Sequence, residues 1–298
     1  MTLDDLVAKV TDPYERLARL YPALLALLPL FVLVMLLYGP KATSLSGAVT
    51  VAVSCGGLYL TTNLCRELGK RLEESLYQQW GGRPSTQLLR HRDKTIEAVT
   101  KRRYHSFLAA KINEAFPDKD QEAKNPEAAD DVYRSGVRWL LNHTRPDDGK
   151  KFDLLFRACF INAFQSGKHV PQGLKPAFCR AMNGTAEAVP YPKPIYETRS
   201  KENVAYGFRR NALGMKPIGL IVSIGSLLWV LVTEGALFAP GRRFVDLMAL
   251  SRMPQTATAS LIVSAIMVVA WILFFTKASA RAAAFTYAEA LLRACDIL

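Results

Sequence analysis

Residues 20–38, "LYPALLALLPLFVLVMLLY", contain no charged side chain in nineteen positions. A helix needs about 20 apolar residues to cross the hydrocarbon core of a bilayer, which is about 30 Å thick. Residues 217–238 and 257–276 are also predominantly apolar and long enough to cross it. We therefore predict a membrane protein in which these three segments are transmembrane helices.

Residues 47–63, "GAVTVAVSCGGLYLTTN", are fewer and include Ser, Thr and Gly. Taken alone, the segment is also typical of a buried core helix or a re-entrant segment. Its position favours a fourth span, because only residues 39–46 separate it from the first, and because Arg66, Lys70 and Arg71 follow it. Basic residues beside a span are retained on the cytoplasmic side. We predict two hairpins, 20–63 and 217–276.

A secretory signal peptide is the competing explanation of the N-terminal segment. Its apolar run is longer than the roughly 7 to 15 residues of a signal peptide, and no small-residue cleavage site precedes the hairpin. We expect a mature anchor.

The polar insert between the hairpins, residues 64–216, carries most of the net charge of the chain. It contains 28 basic and 18 acidic residues, which is a surplus of 10 in a chain whose net charge is +12. The positive-inside bias therefore places the insert and both termini in the cytoplasm. Two features weigh against this topology: long domains follow the rule less strictly, and Arg242, Arg243 and Arg252 fall in the outer loop.

The insert is expected to be mainly helical. Leu68, Leu72 and Leu76 are spaced four apart, which predicts a helix that continues the second span through residues 65–79. Further helices are expected after Pro84, over 100–116 and from Asn125, whereas the prolines of 168–201 indicate loop or short strands. The predicted fold is an all-α membrane protein: four transmembrane helices in two hairpins, a cytoplasmic domain at 64–216 and an amphipathic cytoplasmic helix at 277–298.

Enzymatic motifs are missing from the sequence. It contains no Walker loop, no G-x-S-x-G, no H-E-x-x-H and, among five cysteines, no C-x-x-C. We therefore predict no enzyme, no cofactor and no metal. An active site assembled from distant residues would leave no such motif, so a membrane-anchored enzyme is kept as a third class of function.

The strongest chemical signal is residues 80–105, "WGGRPSTQLLRHRDKTIEAVTKRRYH", with nine Lys, Arg or His residues against two acids. Arg83 precedes a predicted helix start whose free N–H groups suit an anion, and arginine suits phosphate. Trp80, Tyr104 and Phe107 are near enough in sequence to stack on a base. The predicted ligand residues for an anion or nucleic acid are Arg83, Arg90, His91, Arg92, Lys101, Arg102, Arg103, His105, Arg209 and Arg210.

The alternative is that these charges hold the segment inside and contact anionic lipid headgroups, at about 1 kcal/mol each. Spacing does not separate the two readings for residues 80–105. For Arg209 and Arg210, which precede the third span, anchoring is the stronger alternative.

Small and polar residues form stripes along two of the spans. Packing between helices is the commoner use of such a stripe, and a water-filled pore in an oligomer is the functional alternative. Glu234 adds a carboxylate near the outer end of the third span. The predicted pore-lining residues are Thr50, Ser54, Gly57, Thr61, Ser223, Ser226 and Glu234.

Four motifs carry a resemblance to known proteins: "WGGRPSTQLLRH" at 80–91, "TKRRYH" at 100–105, "NPEAADDVY" at 125–133 and "YGFRRN" at 206–211. The chain resembles little-characterised bacterial membrane proteins linked to anti-phage defence, of which the membrane effectors of Hailong systems are the nearest named group. The resemblance implies a homo-oligomeric channel in the bacterial inner membrane, held shut by short DNA from a partner nucleotidyltransferase.

Two functions are favoured over the membrane-anchored enzyme. The first is an oligomeric membrane effector or ion channel whose basic cytoplasmic domain binds a nucleotide or short nucleic acid, and which depolarises the membrane or arrests growth when activated. The second is a non-conducting adaptor whose basic domain binds anionic lipid of the bilayer or a soluble partner.

Overall fold

The computed structural model describes residues 16–42, 47–144, 193–237 and 247–298, and within them the side chains of 16–36, 56–144, 201–237 and 248–298. These residues are mostly helical and include no β-strand. The chain divides into two compact units. Unit 1 comprises Met1–Thr95 and Thr198–Ala290, and unit 2 comprises Ile96–Glu197 and Leu291–Leu298.

Unit 1 contains the long apolar helices. It begins with a π-helical turn at Arg16–Leu20, followed in the first half of the chain by α1 (Tyr21–Ala42), α2 (Gly47–Trp80) and α3 (Pro84–Leu89). In the second half of the chain its helices are α7 (Lys193–Thr233), α8 (Leu247–Ser251), α9 (Gln255–Leu273) and α10 (Lys277–Leu292).

Unit 2 contains the helices α4 (Ala98–Ile112), α5 (Lys119–Lys124) and α6 (Pro126–His143) and a C-terminal 3-10 helix at Arg293–Asp296. Asn125 caps α6, because its Oδ1 accepts from the N–H of Ala128 at 3.2 Å. Asn113, with φ 54°, follows the last residue of α4, so that helix is shorter than the predicted 100–116.

Within the part of the chain that the structure describes, three helices are long and apolar enough to cross a membrane: Arg16–Leu36, Lys201–Thr233 and Gln255–Leu273. Each overlaps one of the predicted spans, and together they indicate a membrane-associated protein. The fourth predicted span, 47–63, forms the first part of α2, which is not one of the three. The arrangement in two hairpins therefore stays a prediction.

Two proline positions differ from expectation. We predicted loop or short strands at 168–201, and residues 168–192 of that range lie outside the described residues. For residues 193–201 the prediction is wrong, because α7 begins at Lys193. Pro194 lies in the first turn, where the missing N–H costs no helical bond. Pro217, the predicted start of the third span, lies inside α7, and spanning helices tolerate such a proline.

Small residues let the helices of unit 1 pack closely. A Cβ added to Gly214 of α7 would lie 2.8 Å from the backbone nitrogen of Gly69 of α2, so only glycine fits this crossing. The adjoining core combines residues of α1, α2, α7 and α9. Its buried members are Ala23, Ala26, Cys65, Ala212, Met215, Met267 and Trp271.

Candidate functional site

The basic segment begins where α2 ends. Gly81 and Gly82 have φ values of 84° and 127°, which side chains rarely allow, and the N–H of Gly82 donates to the Tyr77 carbonyl oxygen at 2.8 Å. This is the usual termination of a helix by a left-handed glycine. The Gly81-Gly82 pair therefore terminates α2.

Two side chains complete this helix end. Gln87 Nε2 donates to the carbonyl oxygens of Trp80 at 2.9 Å and Gly82 at 2.6 Å, and Arg90 Nη1 donates to that of Gly81 at 2.9 Å. The last carbonyls of a helix have no partner within it, so such donors satisfy them. Arg90 is only 8% exposed. This predicted ligand residue therefore has a structural role, and Gln87 is its structural partner at this helix end, which the sequence analysis missed.

The predicted anion site at the start of the next helix gains little from its backbone. Helix α3 has six residues, Pro84 has no N–H, and the N–H groups of Thr86 and Gln87 both donate to the Arg83 carbonyl oxygen at 3.0 Å. Arg83 itself is exposed, and its guanidinium lies 5.8 Å from the centroid of the Tyr77 ring. The Arg83 side chain is therefore the exposed group that can contact an anion here.

Lys101 and His105 lie inside unit 2, with exposures of 3% and 7%. The His105 ring lies 5.0 Å from that of Phe116 and 5.5 Å from that of Tyr133, whose hydroxyl donates to Glu122 Oε2 at 2.8 Å. The two basic residues are one turn apart on the face of α4 that is buried. The spacing of Lys101, Tyr104, His105 and Leu108 would have revealed this face.

Arg103 is exposed but already paired. Its Nε lies 2.8 Å from Asp296 Oδ1, and the Tyr104 hydroxyl donates to the other oxygen of that carboxylate at 3.1 Å. Burial, together with the Asp296 charge, raises the pKa of Tyr104 to about 12. This cluster joins α4 to the C-terminal 3-10 helix within unit 2.

Arg210 is buried in unit 1 and belongs to a polar network that the sequence analysis missed. Its Nη1 donates to Glu73 Oε2 at 3.0 Å, while Glu73 Oε1 accepts from the hydroxyls of Tyr77 at 2.7 Å and Tyr206 at 2.9 Å. Arg210 Nε also donates to Asn211 Oδ1 at 3.2 Å. We call these five residues the Glu73 network.

The surroundings of Glu73 hold it in the charged form. Burial acts to raise the pKa of Glu73, but the Arg210 guanidinium and the hydrogen bonds from Tyr77, Tyr206 and Arg210 outweigh it and leave that pKa below its ordinary value. Burial and the Glu73 charge also raise the pKa of Tyr77. The network therefore contains a stable carboxylate and neutral phenols, which suit a structural link between α2 and α7.

The ten predicted ligand residues are divided between the two units and between surface and interior. Arg83, Arg90, His91, Arg92, Arg209 and Arg210 lie in unit 1, and Lys101, Arg102, Arg103 and His105 lie in unit 2. The exposed ones are Arg83, Arg92, Arg102, Arg103 and Arg209, and His91 is half-buried. Arg209 Nη1 donates to the Ser279 carbonyl oxygen at 3.3 Å. The exposed residues are the ones that a ligand can reach.

The predicted pore-lining residues of α2 and α7 occupy different environments. Ser223 and Ser226 are buried, and Ser223 Oγ donates to the Gly219 carbonyl oxygen at 2.6 Å. A Cβ on Gly219 would overlap the Trp271 ring of α9, so the stripe packs against α9 at this position.

On α2, Gly57 is exposed and Thr61 is half-buried, with its hydroxyl donating to the Gly57 carbonyl oxygen at 2.7 Å. The side chains of Thr50 and Ser54 lie outside the described residues. Glu234 is half-buried just beyond the end of α7.

No group of three His, Cys, Asp or Glu side chains within the described ranges is arranged to hold a metal ion. Comparison with protein-family models, with curated proteins and with solved structures finds no match.

Proposed function

We propose that this protein is an oligomeric membrane effector, an ion channel whose basic cytoplasmic residues bind an anionic ligand, a nucleotide or short oligonucleotide. The observation that carries the proposal is the Glu73 network, which ties α2, the helix leading into the basic segment, to α7, a helix long enough to span the membrane. The defence role and the partner nucleotidyltransferase rest on the motif resemblance.

The exposed arginines supply the ligand contacts in this proposal. Arg83, Arg92 and Arg209 in unit 1 and Arg102 in unit 2 are exposed residues. A guanidinium binds phosphate through two parallel hydrogen bonds, which makes arginine a better phosphate ligand than a simple point charge. The buried Arg90, Lys101, His105 and Arg210 support the fold around these contacts.

In this proposal, the effect of ligand binding reaches the membrane through α2, from Trp80 toward the N-terminus of that helix. This helix has 34 residues, so it is about 50 Å long at 1.5 Å per residue. The Gly69–Gly214 crossing and the Glu73 network hold its second half against α7. Because close-packed helices move as rigid bodies, a ligand that displaces the basic segment would also displace α7.

The experiment is flux through vesicles containing the full chain, titrated with short single-stranded DNA. We expect flux that changes with DNA and a weaker DNA response in Arg83→Glu and Arg92→Glu variants. Arg134→Glu is the matched control, since Arg134 is an exposed arginine of α6 outside the predicted ligand set. Absence of flux with and without DNA, together with no DNA retained by the pure protein, would overturn the proposal.

The second candidate is a non-conducting adaptor that binds anionic lipid. One observation favours it: Arg209 is exposed just before the most apolar part of α7, where an inner-leaflet anchor would lie. Salt-sensitive binding to anionic vesicles, lost in Arg209→Glu and accompanied by no flux, would support the adaptor. The same measurement with neutral vesicles separates lipid charge from the hydrophobic insertion of the spans.

A further inference from the structure

We propose that the apolar core of unit 1 binds a monovalent alkali-metal cation, Na⁺ or K⁺, between α1, α7 and α9. Its ligands are the carbonyl oxygen of Leu25 in α1 and the hydroxyl oxygens of four buried serines. We call these serines the buried serines; they are Ser223 and Ser226 of α7 and Ser260 and Ser264 of α9. The inference goes beyond the proposed function, because it needs neither DNA nor a second copy of the chain.

The two serines of α9 have hydroxyls that the fold leaves unsatisfied. Ser260 and Ser264 are one turn apart and fully buried, and the Oγ atom of each has no hydrogen-bond partner among the residues that the structure describes. They lie on the buried face of α9, together with Ala257, Met267 and Trp271. A buried hydroxyl without a partner has lost its hydration and gained nothing in return, so it requires an explanation.

Two packing clusters fix the register of α1, α7 and α9. The buried residues of the first cluster, one from each helix, are Leu33, Val230 and Ala257. The second cluster includes, again from each helix in turn, Ala26, Met215 and Met267. From the first cluster to the second, residue numbers fall in α1 and α7 and rise in α9. The first two helices are therefore parallel to each other and antiparallel to α9.

This register places the buried serines at two neighbouring levels of the core. On α7 they precede Val230 by four and seven residues, and on α9 they follow Ala257 by three and seven. Because a helix rises 1.5 Å per residue, the two levels lie about 5 and 10 Å from the first cluster. On α1, Pro29 precedes Leu33 by four residues and so occupies the nearer level.

Pro29 leaves a backbone acceptor beside the serines. It is buried inside α1, and because proline has no N–H it cannot donate to the Leu25 carbonyl oxygen. A helical carbonyl points toward the nitrogen four residues later, so this oxygen lies beside Pro29 on the buried side of α1. The hydroxyls of Ser260 and Ser264 do not donate to it, since both are without a partner among the described residues.

The other proline of this turn-and-helix segment shows a different solution. Pro22 likewise cannot donate to the Ala18 carbonyl oxygen, and there Asn211 Nδ2 of α7 donates to that oxygen at 2.7 Å. The chain therefore supplies a direct side-chain donor at one proline and unbonded hydroxyls at the other. A group held between the hydroxyls and the Leu25 carbonyl oxygen accounts for the second arrangement.

The available atoms select a cation over an anion. Ser223 Oγ donates its proton to the Gly219 carbonyl oxygen at 2.6 Å, so this hydroxyl offers only lone pairs to a further group. The Leu25 carbonyl oxygen also has only lone pairs to offer. The hydroxyls of α9 can rotate to present theirs. Oxygen lone pairs attract a cation and repel an anion.

The lack of charge in the surrounding sequence selects a monovalent ion. Residues 20–38, 217–233 and 257–276 contain no charged side chain. Sites for Ca²⁺ and Mg²⁺ use carboxylates, whereas membrane proteins coordinate Na⁺ and K⁺ with backbone carbonyl oxygens where a helix is interrupted or a filter is formed. Hydroxyl oxygens and one proline-freed carbonyl oxygen match the second kind of site.

The test is thermal unfolding of the full chain in detergent, with NaCl, KCl or choline chloride at equal concentration. Choline is too large to fit between packed helices, and an ion that binds only the folded state raises its unfolding temperature. We expect the wild type to unfold a few degrees higher in NaCl or KCl than in choline chloride. Ser260→Ala and Ser264→Ala should lose most of this difference. Thr256→Ala, which removes an exposed hydroxyl from the same helix, should keep it.

The variants should fold, so the comparison stays informative. In choline chloride, Ser260→Ala and Ser264→Ala should be about as stable as the wild type, because each removes a hydroxyl that has no partner. Pro29→Ala tests the carbonyl ligand separately. Its new N–H gives the Leu25 carbonyl oxygen a helical donor, so the cation-dependent difference should shrink while all four hydroxyls remain.

Direct binding is measured as retention of radioactive sodium or rubidium by the purified protein, and Ser264→Ala should retain less than the wild type. Equal unfolding temperatures of the wild type in all three salts would overturn the proposal and favour a water molecule as the partner of the serines. A full cation-dependent difference in both serine variants would also overturn it. Neither result bears on the proposed function, since these measurements contain no DNA.

Discussion

Arg210 Nη1 donates to Glu73 Oε2 at 3.0 Å, and this bond joins α7 to α2 across 137 positions of the chain. Both side chains are largely buried, and the remaining carboxylate oxygen accepts from two tyrosine hydroxyls. A buried ion pair with all its bonding groups satisfied fixes one register between two helices.

Removing one partner should destabilise the protein more than removing both. We expect Arg210→Met to lower stability by about 3 kcal/mol, since it leaves the Glu73 carboxylate buried without its cation. The double variant Glu73→Gln, Arg210→Met should recover part of this loss. Thermal unfolding in detergent measures both, and a double variant no more stable than Arg210→Met would contradict the pairing.

The pair should also depend on pH in a stated direction. The folded-state pKa of Glu73 is below its ordinary value of 4.5, so its stabilisation is fully present above that value and is lost as pH falls through the folded pKa. The stability difference between the wild type and Glu73→Gln should therefore be constant near pH 7 and shrink below pH 4.5. A difference that grows on acidification would contradict this account.

The glycine crossing should be sensitive to a single methyl group. An alanine at 214 would place its Cβ 2.8 Å from the Gly69 nitrogen and 2.9 Å from the Leu68 carbonyl carbon, both of which are backbone atoms. The helices must separate, and we expect Gly214→Ala to cost about 1–3 kcal/mol. Gly225→Ala on the same helix is the control, because no atom lies within 4 Å of its Cβ position. Equal unfolding temperatures for the two variants would contradict the crossing.

The helix end at Gly81 should depend on Arg90 and not on Arg92. Arg90→Leu removes the charged donor to the Gly81 carbonyl oxygen, and the loss of a hydrogen bond to a charged group costs about 1.5–3 kcal/mol. Arg92→Gln changes an exposed side chain and should alter stability by about 0.5 kcal/mol or less. The unfolding temperatures of the two variants measure this difference. If Arg92→Gln is less stable than Arg90→Leu, Arg90 does not have the structural role that we assign to it.

Exposed arginines inside and outside the predicted ligand set should differ in their effect on the salt dependence of DNA binding. If Arg102 contacts a phosphate, Arg102→Gln should reduce the slope of log affinity against log salt by about 0.7, the value for one contact on a single strand. Arg134→Gln should leave the slope unchanged. Titrations of labelled single-stranded DNA at several salt concentrations measure this, and equal slopes for both variants would remove Arg102 from the ligand set.

Local patterns were sufficient for much of the fold. The apolar runs at 20–38, 217–238 and 257–276 predicted the three membrane-length helices, because the length and composition of such a segment determine whether it can span. The leucine spacing after residue 64 predicted the unbroken helix α2. The site was less predictable, since a list of basic residues does not say which of them point inward. Four of the ten, Arg90, Lys101, His105 and Arg210, are buried.

The sequence by itself determined the membrane association, the helical class and the position of the basic segment, because each depends on composition and on contacts between near neighbours in the chain. Only the tertiary structure decided that Arg210 pairs with Glu73, that Gly69 lies against Gly214, and that Trp139 and His143 stack beside Phe107 and Lys111. These partners belong to different helices or depend on side-chain orientation. A pattern of hydrophobicity or charge along the chain does not encode the distance between two helices, and that distance determines which charges are paired and which remain for a ligand.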